Sequence, residues 1–422
     1  MYDLADLSEH RVLSKNPDFK LGRVEFVAMI AMMFATIAFS MDAMLPALPE
    51  IAAELAPEMA HRAPLILTAF FLGMGVGTFL AGPLSDAYGR RKVVFVGIGI
   101  YIISAAVAWA SSSLELMLIA RVFQGLGASG PRVVSAAIIR DLFAGREMAR
   151  IISFVIMVFT LVPVLAPALG ALIIAVMGWR GIFLAFIVFA ATAVAWMALR
   201  LPETLPPERR RPLKLKLMGA AVVEIFSHPT VRLSIFVQTL AMSMLIITLM
   251  LVQPIYSEVF DRAVSFPFWF GGIALVAGSA SLLNAVLVVR YGMRRLVTIT
   301  LGMQILLSGA MLWFNLGSMA EPYGFAAFVV WQTCLFFQAG LTLGNLNAIA
   351  MEPMGHIAGM AASVTGAFST VTAALIVIPI SALFDGTTRP LVMAVLVMAA
   401  AGFALMLYMS RVEMRSPTEA AE

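Results

Sequence analysis

One carboxylate, Asp42, stands alone in an apolar run, with no other charge between Glu25 and Glu50. Two arginines, Arg121 and Arg132, sit inside a second apolar stretch. An ionisable group at membrane depth is costly and usually marks an ion or proton path. A carboxyl removed from water holds its proton more tightly, and a nearby cation reverses that. If Arg121 approaches Asp42 in one state and leaves it in another, Asp42 would bind and release a proton in turn. The depths permit such a pair. At 1.5 Å per residue from Phe26, Asp42 lies about 24 Å along its helix, and Arg121 roughly 8–12 Å into its own from the opposite face. In a hydrocarbon core about 30 Å thick, both fall in the outer half. The alternative role for Asp42 is a cap at the outer helix end. Arg132, deeper along its helix, is expected to snorkel toward the nearer membrane face.

A second group of charges lies in Gly82-Pro-Leu-Ser-Asp86-Ala-Tyr-Gly89-Arg90-Arg91-Lys92. Asp86 can pair with the cations that follow or with the start of a neighbouring helix. Gly82 and Gly89 are expected to allow a tight reversal and close helix approach. Pro163 and Pro167 each remove a backbone donor and bend their helix, while Gly170 allows close packing. Polar side chains recur inside apolar runs at Gln124, Gln238, Gln253, Asn284, Gln338, Asn345 and Asn347. Some are expected to line a cavity and the others to bond across helices.

Other chemistry finds no support. No Gly-Lys dipeptide occurs, so a Walker A loop is excluded and ATP is not the expected energy source. Gly125-Leu-Gly-Ala-Ser-Gly130 fits a dinucleotide pattern, but no strand precedes it. Like Gly73-x-x-x-Gly77, it reads as a surface for close helix packing. The four histidines show no metal spacing, and the one cysteine, Cys334, sits in an apolar run. No nucleophile, histidine and acid converge, so no enzyme, cofactor or metal site is expected.

The elements that hold these residues follow from composition. The chain has 422 residues, 61% hydrophobic and 12% charged. Soluble domains carry about 25% charged residues, so lipid must be the solvent. Residues 1–23 mix acids and bases without an apolar core, so no cleaved leader is expected there. Twelve runs are long enough to cross a bilayer: 24–45, 64–84, 93–112, 115–136, 151–174, 180–200, 232–256, 268–289, 295–315, 324–350, 357–383 and 389–410. With these spans, 22 Lys and Arg fall on one side, and only Arg62, Arg180, Arg262 and Arg389 on the other. Both termini are therefore expected in the cytoplasm, and the net charge of +4 reflects topology rather than nucleic-acid binding.

The expected organisation is a cytoplasmic segment 1–23, a six-helix half 24–200, a cytoplasmic linker 201–231, a second half 232–410 and a tail 411–422. Tyr88-Gly-Arg-Arg is echoed by Tyr291-Gly-Met-Arg-Arg, and Pro46 by Pro254. Val289 stands where the second copy would carry the acid. Two parallel six-helix repeats with a site between them is a known transporter plan.

Four stretches carry a family resemblance. Gly82–Val94 resembles the loop between helices two and three of the major facilitator superfamily, with Ala87 where the family usually has a base. F-S-M-D-A-M-L-P-A-L-P (Phe39–Pro49) resembles the first helix of its drug:proton antiporters of the bicyclomycin- and chloramphenicol-resistance (Bcr/CflA) branch. R-V-F-Q-G-L-G-A-S-G (Arg121–Gly130), with Arg140–Phe143, resembles their fourth helix. P-V-L-A-P-A-L-G-A (Pro163–Ala171), with Gly178-Trp179-Arg180, resembles the antiporter signature of helix five, with Ala171 in place of a usual glycine. The resemblance implies an all-α integral membrane fold of twelve helices. It implies a monomer in the bacterial inner membrane that exports small amphipathic drugs in exchange for protons, driven by the proton gradient alone. It places coupling at Asp42 and Arg121 and gating at Gly82, Asp86, Gly89, Arg90 and Arg91. Twenty-nine methionines and 29 phenylalanines suit a pocket that repacks around varied ligands. The alternative is a proton symporter importing a small metabolite, against which the helix-five stretch argues.

Overall fold

The computed structural model describes residues 21–415, and within them the regular structure is entirely helical. The ends of the expected segments 1–23 and 411–422 lie mostly outside the described residues. The helices are α1 (Arg23–Asp42), α2 (Leu48–Leu55), α3 (Leu65–Tyr88), α4 (Arg90–Trp109), α5 (Leu114–Leu142), α6 (Gly145–Arg200) and α7 (Leu215–Ser227). They continue as α8 (Pro229–Pro254), α9 (Phe266–Gly278), α10 (Ala280–Tyr291), α11 (Met293–Trp313), α12 (Tyr323–Met351), α13 (Ala358–Ser381) and α14 (Arg389–Arg415).

Nine stretches among the described residues are long and apolar enough to cross a membrane. Two of them are double. Helix α6 turns back at Gly178, which takes φ 66°, ψ −179° where a side chain would be strained. Tyr323–Ser381 holds both α12 and α13, joined by a 3₁₀ turn at Glu352–Ile357. Helix α5 is not among the nine, because Glu115, Arg121, Arg132, Arg140 and Asp141 dilute its apolar character. Counted by arms and with α5 added, the helices supply the segments that twelve crossings need.

Boundaries differ from the sequence expectation where polar residues stay helical. Helix α5 runs on to Leu142, six residues past the expected end, because its last turns pack against neighbours instead of ending at the membrane face. The expected span 268–289 breaks at Ser279 into α9 and α10. The segment 201–231 is more than a linker. It contains α7 and the first turn of α8, and Arg211 donates its backbone N–H to the carbonyl of Asp86 at 3.0 Å.

Glycines set the closest contacts. A Cβ on Gly73 would lie 1.7 Å from the Val122 carbonyl oxygen, and one on Gly125 2.0 Å from that of Phe70. Helices α3 and α5 thus meet backbone to backbone, as the small-residue patterns predict. Helix α3 also follows the seam between α1–α6 and the later helices. Thr68 donates to Met250 Sδ of α8 at 2.9 Å, and Gly75 leaves room for Val371 of α13. The second seam joins α6 to α9, where a Cβ on Gly271 would sit 2.7 Å from the Val164 oxygen.

Candidate functional site

Asp42 is the last residue of α1, and it is only 6% exposed. The chain leaves the helix there because Pro46 cannot donate to a continuing helix, and a 3₁₀ turn follows at Leu45–Ala47. The Pro163–Gly170 stretch of α6 positions this turn. Gly170 lies so close that a Cβ would meet the Ala43 oxygen at 2.3 Å. The signature glycine of one expected motif therefore packs against the residue next to the carboxylate of another.

Arg121 is fully buried, on the same side of the molecule as the end of α1. It does not reach the Asp42 carboxylate. Its Nη2 donates to the Ser40 carbonyl at 3.1 Å, Nε to the Ile66 carbonyl at 3.4 Å and Nη1 to Gln124 Oε1 at 2.7 Å. Its guanidinium lies 4.5 Å from the centre of the Phe70 ring. Ser40 is in the last turn of α1, whose carbonyls lack helical partners and form the negative end of the helix dipole. The Ser40 carbonyl accepts the cation in place of a carboxylate. Ser40 also shares a hydrogen bond with Tyr101, tying α4 into the cluster. Arg121 thus meets α1 two residues before Asp42 and is not paired with it. Among the described residues Asp42 has no hydrogen-bond or ion-pair partner.

Arg132 is exposed, and its Nη1 lies 3.9 Å from Met74 Sδ of α3. The polar span residues differ in their partners. Asn345 Nδ2 donates to Asn284 Oδ1 at 2.7 Å, a bond between α12 and α10. Gln338 Nε2 donates to Thr342 Oγ1 at 3.1 Å within α12. By contrast, Gln124 Nε2, Gln238 Oε1, Gln338 Oε1 and Asn347 Oδ1 are buried and unpartnered, which suits groups that meet water or a ligand in another state. Gln253 is buried near the C-terminal end of α8.

The Gly82–Arg91 motif forms a charge cluster at the opposite end of α3. Arg90 Nη1 donates to Asp86 Oδ1 and to Ser85 Oγ at 2.7 Å, and its Nε to Asp141 Oδ2 at 2.8 Å. Glu203 caps α4 by accepting the backbone N–H of Arg90 at 2.9 Å and of Arg91 at 3.2 Å. Arg91 Nη2 donates to the Ala198 carbonyl at 2.9 Å. Sequence reasoning paired Asp86 with a following cation and missed Asp141 and Glu203. Asp141 was visible inside R-D-L-F, but nothing in the order of residues joins it to Arg90. Gly89 takes φ 100°, and a Cβ there would lie 2.7 Å from Glu203 Oε2. Gly82 corrects the expectation of a reversal. It lies inside α3, which continues six residues further, and a Cβ there would meet only ordinary contacts. The turn is made at Gly89 alone, where only glycine fits the backbone.

The echo at Gly292 is structural too. Gly292 takes φ 77°, and Arg294 binds Glu413 at 2.9 Å and Glu352 at 2.9 Å. Glu352 follows α12 as Asp141 closes α5, and Glu413 closes α14 as Glu203 follows α6. The second copy therefore keeps two acids around its arginine after losing the one at Val289.

The profile of the Major Facilitator Superfamily matches residues 28–378. The chain belongs to this superfamily. A relative from Bacillus subtilis, an uncharacterized MFS-type transporter YdgK, is 29% identical, covering 89% of this chain and 92% of its own. A bicyclomycin resistance protein homolog of Haemophilus influenzae is 26% identical, covering 84% and 88%. The drug-resistance branch expected from the motifs is thus represented among the relatives. The solved xylose transporter XylE from E. coli, in a partially occluded inward-open conformation, aligns with a TM-score of 0.69 at 12% identity. It covers 95% of this chain and 99% of that one, which shows the fold. As a Major Facilitator transporter with these relatives, the protein is a multi-pass protein of the bacterial inner membrane.

Proposed function

We propose that the chain is a proton-coupled antiporter that exports small amphipathic drugs by alternating access. The halves 24–200 and 232–410 would rock about the α3–α13 and α6–α9 seams, with both termini cytoplasmic. The observation that carries the coupling is Asp42 itself, a nearly buried carboxyl without a partner. It stands two residues from Ser40, whose carbonyl binds a buried arginine that neutral acceptors already satisfy. A proton on Asp42 removes the cost of an unpaired buried charge. Withdrawal of Arg121 from the α1 carbonyls toward Asp42 would expel that proton. The orphaned Gln124 amide is placed to follow the guanidinium, since its oxygen is already bound to it.

The family descent supports transport without nucleotide, and the drug-resistance names of relatives support the substrate class. A proton entering the cell contributes about 2.3 kcal/mol per 100 mV. The test is drug-induced proton release from purified protein in weak buffer. Wild type should release protons on drug addition and Asp42→Asn should not. Undiminished release by the variant would assign the proton to another group and return Asp42 to a helix cap.

A further inference from the structure

A groove of about 350 Å³ runs along α3, α4 and α5 and takes no part in the cluster around Asp42. Its walls are apolar side chains of α3 and α4, and its floor is α5. The floor is sealed by glycine contacts. A Cβ on Gly77 would lie 2.6 Å from the Leu126 oxygen, and one on Gly97 2.8 Å from the Gly127 oxygen. The groove is therefore blind and does not lead between the two halves. It opens outward past Val96, 63% exposed, on the lipid-facing side. The hydroxyl of Ser129 in the floor donates to the Leu126 carbonyl at 2.7 Å and has no proton left to give a ligand.

Polar groups appear only at one end. Tyr88 and Lys92 stand on the rim, and both are exposed. Arg90 and Arg91 beside them are engaged by Asp86, Asp141 and the Ala198 carbonyl. Among the described residues Lys92 has no such partner and is the free cation of the three. From Gly77 to Tyr88 the groove is about 16 Å long, half of a core about 30 Å thick. It spans one leaflet, with its cation at headgroup level.

We infer that this groove binds an anionic phospholipid, with an acyl chain laid against α5 and its phosphate at Lys92 and Tyr88. A groove that long, closed to the protein interior and capped by one unpaired cation, matches a lipid better than a transported drug. The assignment of the lipid to the cytoplasmic leaflet rests on the topology proposed above; the groove and its occupant do not.

The experiment uses the full chain reconstituted in phosphatidylcholine vesicles with a trace of phosphatidylglycerol carrying a photoreactive acyl chain. Labelled peptides are mapped by mass spectrometry. Label should concentrate on residues 77–100 and 126–130, and unlabelled phosphatidylglycerol should compete about fivefold better than added phosphatidylcholine. Lys92→Ala should abolish that preference while keeping the label, and Lys92→Arg should retain both. Ala81→Leu, which fills the groove, should lose the label there and keep it elsewhere on the lipid-facing helices. Label spread evenly over those helices would overturn the proposal. So would equal competition by the two lipids in wild type, or displacement by an exported drug but not by phosphatidylglycerol. No step measures transport, so failure here leaves the export reading standing, and failure of export leaves this one.

Discussion

Arg121 illustrates how a charge can be held in a membrane without a countercharge. Three acceptors and an aromatic face replace the water it lost. Each acceptor left unpaired costs about 1–3 kcal/mol. Arg121→Met should therefore lower the melting temperature as well as end coupled export. Arg121→Lys, with a single ammonium for three divergent acceptors, should retain part of the stability and little of the export. Thermal unfolding in detergent beside vesicle transport would separate the two effects. A stable Arg121→Met protein would show that the network is not what holds α1, α3 and α5 together.

The charge cluster at Arg90 yields a second prediction at this scale. Arg90 is 8% exposed, Asp141 19% and Asp86 48% in their side chains. Exposed pairs contribute about 0–1 kcal/mol, whereas breaking a more buried pair strands a charge. Asp141→Asn should thus destabilise the protein more than Asp86→Asn, although the sequence drew attention to Asp86. Gly89→Ala should cost about 1–3 kcal/mol from its backbone conformation alone, before displacement of Glu203 is counted. Equal melting temperatures for Asp141→Asn and wild type would contradict this ranking.

At the scale of elements, the α6–α9 seam carries the most specific expectation. Thr160 and Gly278 approach so closely that a Cβ on Gly278 would overlap the threonine methyl. With Cys334 replaced by serine, Thr160→Cys and Gly278→Cys together should form a disulfide under mild oxidation. If the seam opens during the cycle, that bond should stop transport and its reduction should restore it. Full transport by the cross-linked protein would exclude opening at this seam. Gly271→Leu should act in the same place by steric means, since its side chain has no room beside Val164. The prolines of α6 are legible in the sequence, but the small residues packed beside that stretch lie on α9, in the other half of the chain.

At the scale of the whole molecule, the prediction is topological and energetic. The asymmetry of 22 against four Lys and Arg predicts that the segment between α6 and α8 is cytoplasmic. Reporter fusions at residue 205 and at the C-terminus should be active only as cytoplasmic reporters. Export should collapse with a protonophore and persist without ATP when a gradient is imposed. Export by the purified protein that required ATP would remove the secondary-transporter assignment.

Composition, span lengths and loop charge were enough to determine an all-helical membrane protein, because lipid tolerates so few backbone solutions. The sequence also singled out Asp42, Arg121, Gly89 and Gly170, since a lone buried charge or a glycine in a polar turn is improbable without a role. It could not supply partners. Arg121 binds the carbonyl of Ser40, 81 residues away, and Arg90 binds Asp141, 51 residues away. Backbone carbonyls leave no trace in residue types, and an acid in one loop does not name the arginine it will meet. The same holds for Gly82, whose neighbourhood looked like a turn until helix α3 was seen to pass through it. Local chemistry and solvent preference are written residue by residue, whereas which helix packs on which is decided only when all of them compete for the same contacts.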